Sequence, residues 1–163
     1  MSFPQLRSSL LAAASVLAAA PLALSQAPNP IPPTFTNIYP QASTAHAQVE
    51  QAMKLAAQQH KRVVLNFGTD DCPDCQALGE FFRNRINHDQ IAEHFLIVRI
   101  DVGKKSNQNL DLAQRFHADV PGGIPVLSVI DGDGHVVQTN NEFRMARNRS
   151  ANDLTVFLNK ARE

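Results

Sequence analysis

The chain has 163 residues, with 15 basic and 15 acidic side chains and no formal net charge. That length fits one domain plus some extra sequence, and the neutral balance gives no reason to invoke nucleic acid or an anionic membrane surface. A hydrophobic content of 44% suffices for a core, so the two cysteines are not needed as staples for a small fold.

The first segment reads as an export signal rather than part of a fold. Arg7 precedes an apolar, alanine-rich run from Leu10 to Leu24, and small residues follow at Ala23 and Ser25. A basic start, a short apolar stretch and small residues predict a secretory signal over residues 1–25, cut after Ser25. The alternative is an uncleaved anchor. Pro21 interrupts the run, which also falls short of the ~20 residues a span needs. Export places the chain where disulfides form, and a bacterial periplasm is the expected compartment. Residues 26–42, with Pro28, Pro30, Pro32 and Pro33, read as an extended linker.

From Ser43 the pattern turns helical, with Ser43 as N-cap and Val49, Met53 and Ala56 on one face. "RVVLNF" reads as a short buried strand. "PDCQALGEFFRNRI" reads as a helix with Leu78, Phe81, Phe82 and Ile86 on a shared face. Phe95 to Val102 is a second strand. "NQNLDLAQRFHA" is a helix turning Leu110, Ala113 and Phe116 inward. Val126 to Ile130 is a third strand, "DGDG" a turn and "HVVQT" a fourth strand. Residues 140–150 carry no clear pattern. The last stretch closes as a helix with Leu154, Phe157 and Leu158 inward. Strands separated by helices predict parallel pairing, and the final close pair predicts a hairpin.

Both cysteines, Cys72 and Cys75, sit where the first strand ends and a helix begins. A helix N-terminus stabilises a thiolate, which is the attacking form of cysteine. Two intervening residues let the second sulfur reach the first, and Pro73 suits the first helical position. A bond closing so short a loop removes little chain entropy and is a poor staple. A closed zinc site needs four ligands, and one Cys-x-x-Cys supplies two. A redox pair is the favoured reading; an inert disulfide and a copper site with a folded-in histidine stand beside it. No resident metal is expected. "DGDG" at Asp131 to Gly134 lacks the later ligands of a calcium loop and is read as a turn. His117 is read as a solvated helix end, and Arg144, Arg147 and Arg149 as a solvated basic cluster.

"VVLNFGTDDCPDCQAL" and "FHADVPGGIPVLSVIDGDGHVV" together resemble the thioredoxin superfamily, most closely its exported bacterial members, over roughly Arg62 to Glu163. The resemblance implies an α/β thioredoxin-like fold over residues 43–163: a central mixed sheet of about four strands flanked by helices, with an added N-terminal helix. It implies that Cys72 is the nucleophile and Cys75 the resolving thiol. Pro125 would be the cis-proline opposite them, with the Ile124 backbone pairing with an extended substrate. No cofactor beyond the Cys72–Cys75 disulfide is implied. Partners would be protein thiols and disulfides and a membrane-bound electron donor, and the protein would be a monomer. The chain departs from the family pattern at Asn66, where a buried acid is usual, and at Asp71 and Gly68, where aromatic residues are usual. General-base help for Cys75 would then fall to Asp70, Asp71, Asp74 or water. Asp71, Pro73 and Asp74 are the redox-tuning candidates: negative charge beside the pair disfavours a thiolate, which predicts a reducing dithiol. The alternatives are a disulfide oxidase or isomerase, a non-catalytic peptide-binding module and a copper-delivery module.

Overall fold

The structure, a computed structural model, describes residues 38–163. The predicted signal and residues 26–37 of the predicted linker lie outside them. Among the described residues no helix is long and apolar enough to cross a membrane.

The elements run α1 (Ala45–Gln59), β1 (Arg62–Gly68), α2 (Pro73–Arg83), α3 (Arg85–His94), β2 (Phe95–Asp101), α4 (Leu110–Arg115), β3 (Val126–Ile130), β4 (Val136–Asn140) and α5 (Ala151–Lys160). Short 3₁₀ turns occupy Ala42–Thr44, Val120–Gly122 and Glu142–Asn148. The four strands form one mixed sheet in the order β2-β1-β3-β4. β1 pairs parallel with β2, and β3 lies antiparallel to β1 and β4. This is the mixed, helix-flanked sheet with an N-terminal helix that the resemblance implies; the parallel pairing expected of helix-separated strands holds for β1 and β2, whereas β3 runs antiparallel to β1.

β1 is the central device. After Arg62 every residue of it is buried, as a strand covered by helices on both faces requires. Side chains alternate between faces. Val63, Leu65 and Phe67 join α1, α4 and the β2 residues Val98 and Ile100 in one apolar cluster. Val64 joins Leu78 and Phe82 of α2 and Leu154, Phe157 and Leu158 of α5 in the other. By the same alternation Asn66 faces the α2 side, where it is fully buried. The polar side chain at this position is thereby aimed beneath the cysteines.

Several boundaries differ from the sequence reading. α1 begins at Ala45 after a 3₁₀ turn, and its N-cap position falls on Thr44, not Ser43, without a side-chain capping bond. The single helix expected over 73–86 is two. Asn84 takes an extended conformation, ends α2, and accepts a hydrogen bond from Ile86 N (3.0 Å) to start α3. The break turns Ile86 outward, 54% exposed, so it leaves the face it was placed on. In α4 it is Leu112 that is buried and Leu110 that is exposed, because Asn109 enters the helix with a left-handed backbone and shifts the phase. Residues 140–150, unassigned from the sequence, form the 3₁₀ run Glu142–Asn148, kinked at Met145. Ile38 and Tyr39 fall in the stretch read as linker, yet Tyr39 is 3% exposed and packed into the domain.

Candidate active site

Cys72 is the N-cap of α2, with Pro73 as the first helical residue. This uses two preferences together: the cap needs a side-chain acceptor, and the first turn has no use for the N–H that proline lacks. Here the acceptor is sulfur. Cys75 N–H donates to Cys72 Sγ at 3.1 Å. Cys72 is half-buried and Cys75 fully buried.

The two thiols are driven in opposite directions. Cys72 is pulled down to about 7, chiefly by the Cys75 S–H donating to its sulfur, with the Cys75 and Asp74 N–H groups adding to it. Burial and the Asp74 charge work against this and lose. Cys75 is pushed far up, first by holding its proton for the Cys72 thiolate and then by burial. Near neutral pH the half-buried Cys72 is therefore poised between thiol and thiolate, while the buried Cys75 keeps its proton.

The Ile124–Pro125 peptide is cis, and Cys72 Sγ stands 3.9 Å from Ile124 O. The folded chain thus brings Ile124 and Pro125 to the cysteines from 52 residues away. The loop before Pro125 is held by Arg144. Its Nε donates to Gly123 O at 2.9 Å, and its guanidinium pairs with the Asp119 carboxylate at 2.9 Å. Asp119 in turn accepts from Gly122 N.

The three aspartates around the cysteines are all engaged. Asp74 accepts from Arg147 N at 2.9 Å and from its guanidinium at 3.2 Å. Burial favours protonation of Asp74, but the Arg147 bonds outweigh it and keep the carboxyl below its ordinary range. Asp71 pairs with Lys104 at 3.1 Å, both exposed. Asp70 Oδ1 accepts from Ile38 N at 2.7 Å and Tyr39 N at 3.1 Å. These carboxylates are not bare charges: Asp74 stays ionised in its pair with Arg147 and still raises Cys72, but the hydrogen bonds to the Cys72 sulfur outweigh it. Nor does any of the three bond to Cys75 in the way a general base would.

Sequence reasoning missed four residues here. Arg144 and Arg147 were read as solvated, yet one clamps the loop leading to Pro125 and the other clamps the first turn of α2. Arg99 is half-buried on β2, opposite Asn66 in the β1–β2 register. Tyr39 donates through its hydroxyl to Asn66 Oδ1 at 3.1 Å. The available signal was Gly68. A Cβ there would collide with the Tyr39 hydroxyl and meet Cys75 Sγ at 2.9 Å, so the missing side chain leaves room for a ring from elsewhere. His117 is the exposed helix-end residue expected. The three-ligand grouping of Asp131, Asp133 and His135 lies at the β3–β4 turn, where Asp131 Oδ1 accepts from Asp133 N and His135 N. It does not include the cysteines.

Residues 44–132 match the Thioredoxin-like family. Among solved structures, a disulphide isomerase from Xylella fastidiosa Temecula1 is 36% identical, with a TM-score of 0.70 over 77% of this chain and 96% of that one. A thioredoxin from Thermus thermophilus is similar in fold, at 17% identity and a TM-score of 0.51 over 68% of this chain and 80% of that one. No curated protein sequence matches significantly.

Proposed function

The chain belongs to the thioredoxin-like family, and from that premise we propose that it is a thiol–disulfide oxidoreductase working as a dithiol reductase. The observation that carries this is the split between the two thiols, with Cys72 lowered to about 7 at the helix cap and Cys75 kept protonated behind it. A thiolate is the nucleophile in disulfide exchange. Cys72 attacks a substrate disulfide, forming a mixed disulfide and releasing one substrate thiolate. Cys75 then attacks Cys72 Sγ, releasing the second. The substrate disulfide gains the two electrons that the dithiol loses, and the protein ends as a Cys72–Cys75 disulfide. An extended substrate lies along Ile124 and Pro125, pairing with the Ile124 backbone.

The reducing direction is supported by the size of the Cys72 shift. Strong oxidants hold their nucleophile near 3.5, whereas thioredoxin holds its own near 7, and a less stabilised thiolate makes a less oxidising pair. The export-signal pattern of residues 1–25 supports a reaction in the periplasm of a bacterium. The spent disulfide then draws electrons from a membrane-bound dithiol donor, and the protein works as a monomer.

The test is to replace Cys75 with serine and recover covalent partners by mass after alkylation. Mixed disulfides through Cys72 are expected. Their absence under non-reducing conditions would overturn the reading. The similarity to a protein named as a disulphide isomerase favours isomerisation as the second reading. An isomerase restores activity to scrambled ribonuclease without added reductant, whereas a reductase only opens its disulfides.

A further inference from the structure

Oxidoreductase action at Cys72 leaves one step without a helper. Cys75 must lose its proton to resolve the mixed disulfide, yet it is buried and strongly disposed to keep it. A carboxylate beneath it would serve, but Asn66 occupies that place, and Asp70, Asp71 and Asp74 are committed to Tyr39 and Ile38 N, Lys104 and Arg147.

The Tyr39 hydroxyl does stand there. It lies in the space that a Gly68 side chain would fill, and Cys75 Sγ borders the same space. Its recorded bond is to Asn66 Oδ1, at 3.1 Å, and a phenolic O–H can turn to another acceptor. The ring is held from behind by the two backbone bonds to Asp70. The Arg99 guanidinium approaches the same space from β2, stacked 5.9 Å from the Phe82 ring centre. Arg99 Nε and Asn66 Nδ2 are both buried without a hydrogen-bond partner. A half-buried cationic group with an unspent buried donor beside a neutral Asn–Tyr–Cys cluster is costly unless negative charge visits the site.

We propose that the Tyr39 hydroxyl, backed by Arg99, is the hydrogen-bond donor that stabilises the Cys75 thiolate during resolution. Cys75 releases its proton to solvent, and the Tyr39 O–H turns from Asn66 Oδ1 to Cys75 Sγ. The Cys75–Cys72 bond forms, the bond from Cys72 to the substrate sulfur breaks, and the electron pair leaves on the substrate sulfur, which takes up a proton from water. Burial and the nearby Cys75 push the Tyr39 phenol well above its ordinary range, so it stays a donor throughout and does not act as a base. The charged groups bearing on this space are Cys72 and Arg83 from α2 and Arg99 from β2.

The test uses Tyr39→Phe, which keeps the ring and removes the hydroxyl. Reduced protein is mixed with one equivalent of dithiobis(nitrobenzoic acid) in a stopped-flow instrument. Coloured thiolate is released once when Cys72 attacks and again when Cys75 resolves. Losing a hydrogen bond to a charged group predicts a second phase about tenfold slower or more near neutral pH. The first phase stays unchanged and certifies an intact site, and the slowed phase recovers as pH rises. An unchanged second phase, or both phases slowed equally, would overturn the proposal. Loss of the first phase in Cys75→Ser would instead overturn the oxidoreductase reading on which it rests.

Discussion

Varying pH across the thiol range should change the stability of the reduced protein in a way the oxidised protein does not share. In the unfolded chain both cysteines titrate near 8.5. In the folded chain Cys72 titrates at about 7. A folded value below the unfolded one stabilises the native state above the unfolded value, and that benefit is lost as pH falls through about 7. The gap of roughly 1.5 units corresponds to ~2 kcal/mol at most, and partial solvent screening of a half-exposed sulfur brings it to about 1 kcal/mol. Cys75 acts with the opposite sign. Its folded value is raised, so its contribution is present below about 8.5 and declines as pH rises beyond it. The difference in unfolding free energy between the reduced and oxidised forms should therefore climb between about pH 6 and pH 8.5, then fall. Urea unfolding of both forms across this range measures it, and the subtraction removes every other titrating group. A flat difference, or one that falls from pH 6 upward, would refute the assignment of thiolate to Cys72 and thiol to Cys75.

Arg147→Ala frees the Asp74 carboxylate beside Cys72 and should raise the midpoint of Cys72 alkylation by iodoacetamide by a few tenths of a unit; a lower midpoint would contradict the clamp. Asp70→Ala removes both bonds that pin Ile38 and Tyr39 and should cost about 2 kcal/mol in urea unfolding, while Asp70→Asn, which keeps an acceptor, should cost less than half of that. Asn87 is fully buried and donates to Phe81 O and Ala151 O, both at 3.0 Å, while accepting from Thr155 Oγ1 at 2.7 Å. Asn87→Ala would strand these partners between α2, α3 and α5 and should cost about 3 kcal/mol; a loss under 1 kcal/mol would argue against that junction.

What was legible in the sequence was mostly local. Val126–Ile130 is read to the residue because it is a continuous apolar run bounded by proline and a turn. Cys72–Pro73–Asp74–Cys75 announces itself by the chemistry of a capped helix start. The inward residues of α5 follow from spacing, and its capping box at Ser150 and Asp153 agrees. Asn84 was less legible because its break of the helix depends on a side-chain bond to Ile86 N rather than on proline or glycine. The clamps were illegible for another reason. Arg144, Arg147 and Tyr39 act across 25, 73 and 27 residues of chain, and no periodicity encodes such pairings. The proline-rich run ending at Pro33 also disguised Tyr39, since composition cannot tell where a linker begins to dock.

The central claim is a reducing dithiol at Cys72 and Cys75. The most direct measurement equilibrates the protein with glutathione buffers and counts its thiols by alkylation and mass. A potential near that of thioredoxin, about −270 mV, is expected. A potential near about −120 mV, that of the strong periplasmic oxidants, would contradict the account and make the protein an oxidant.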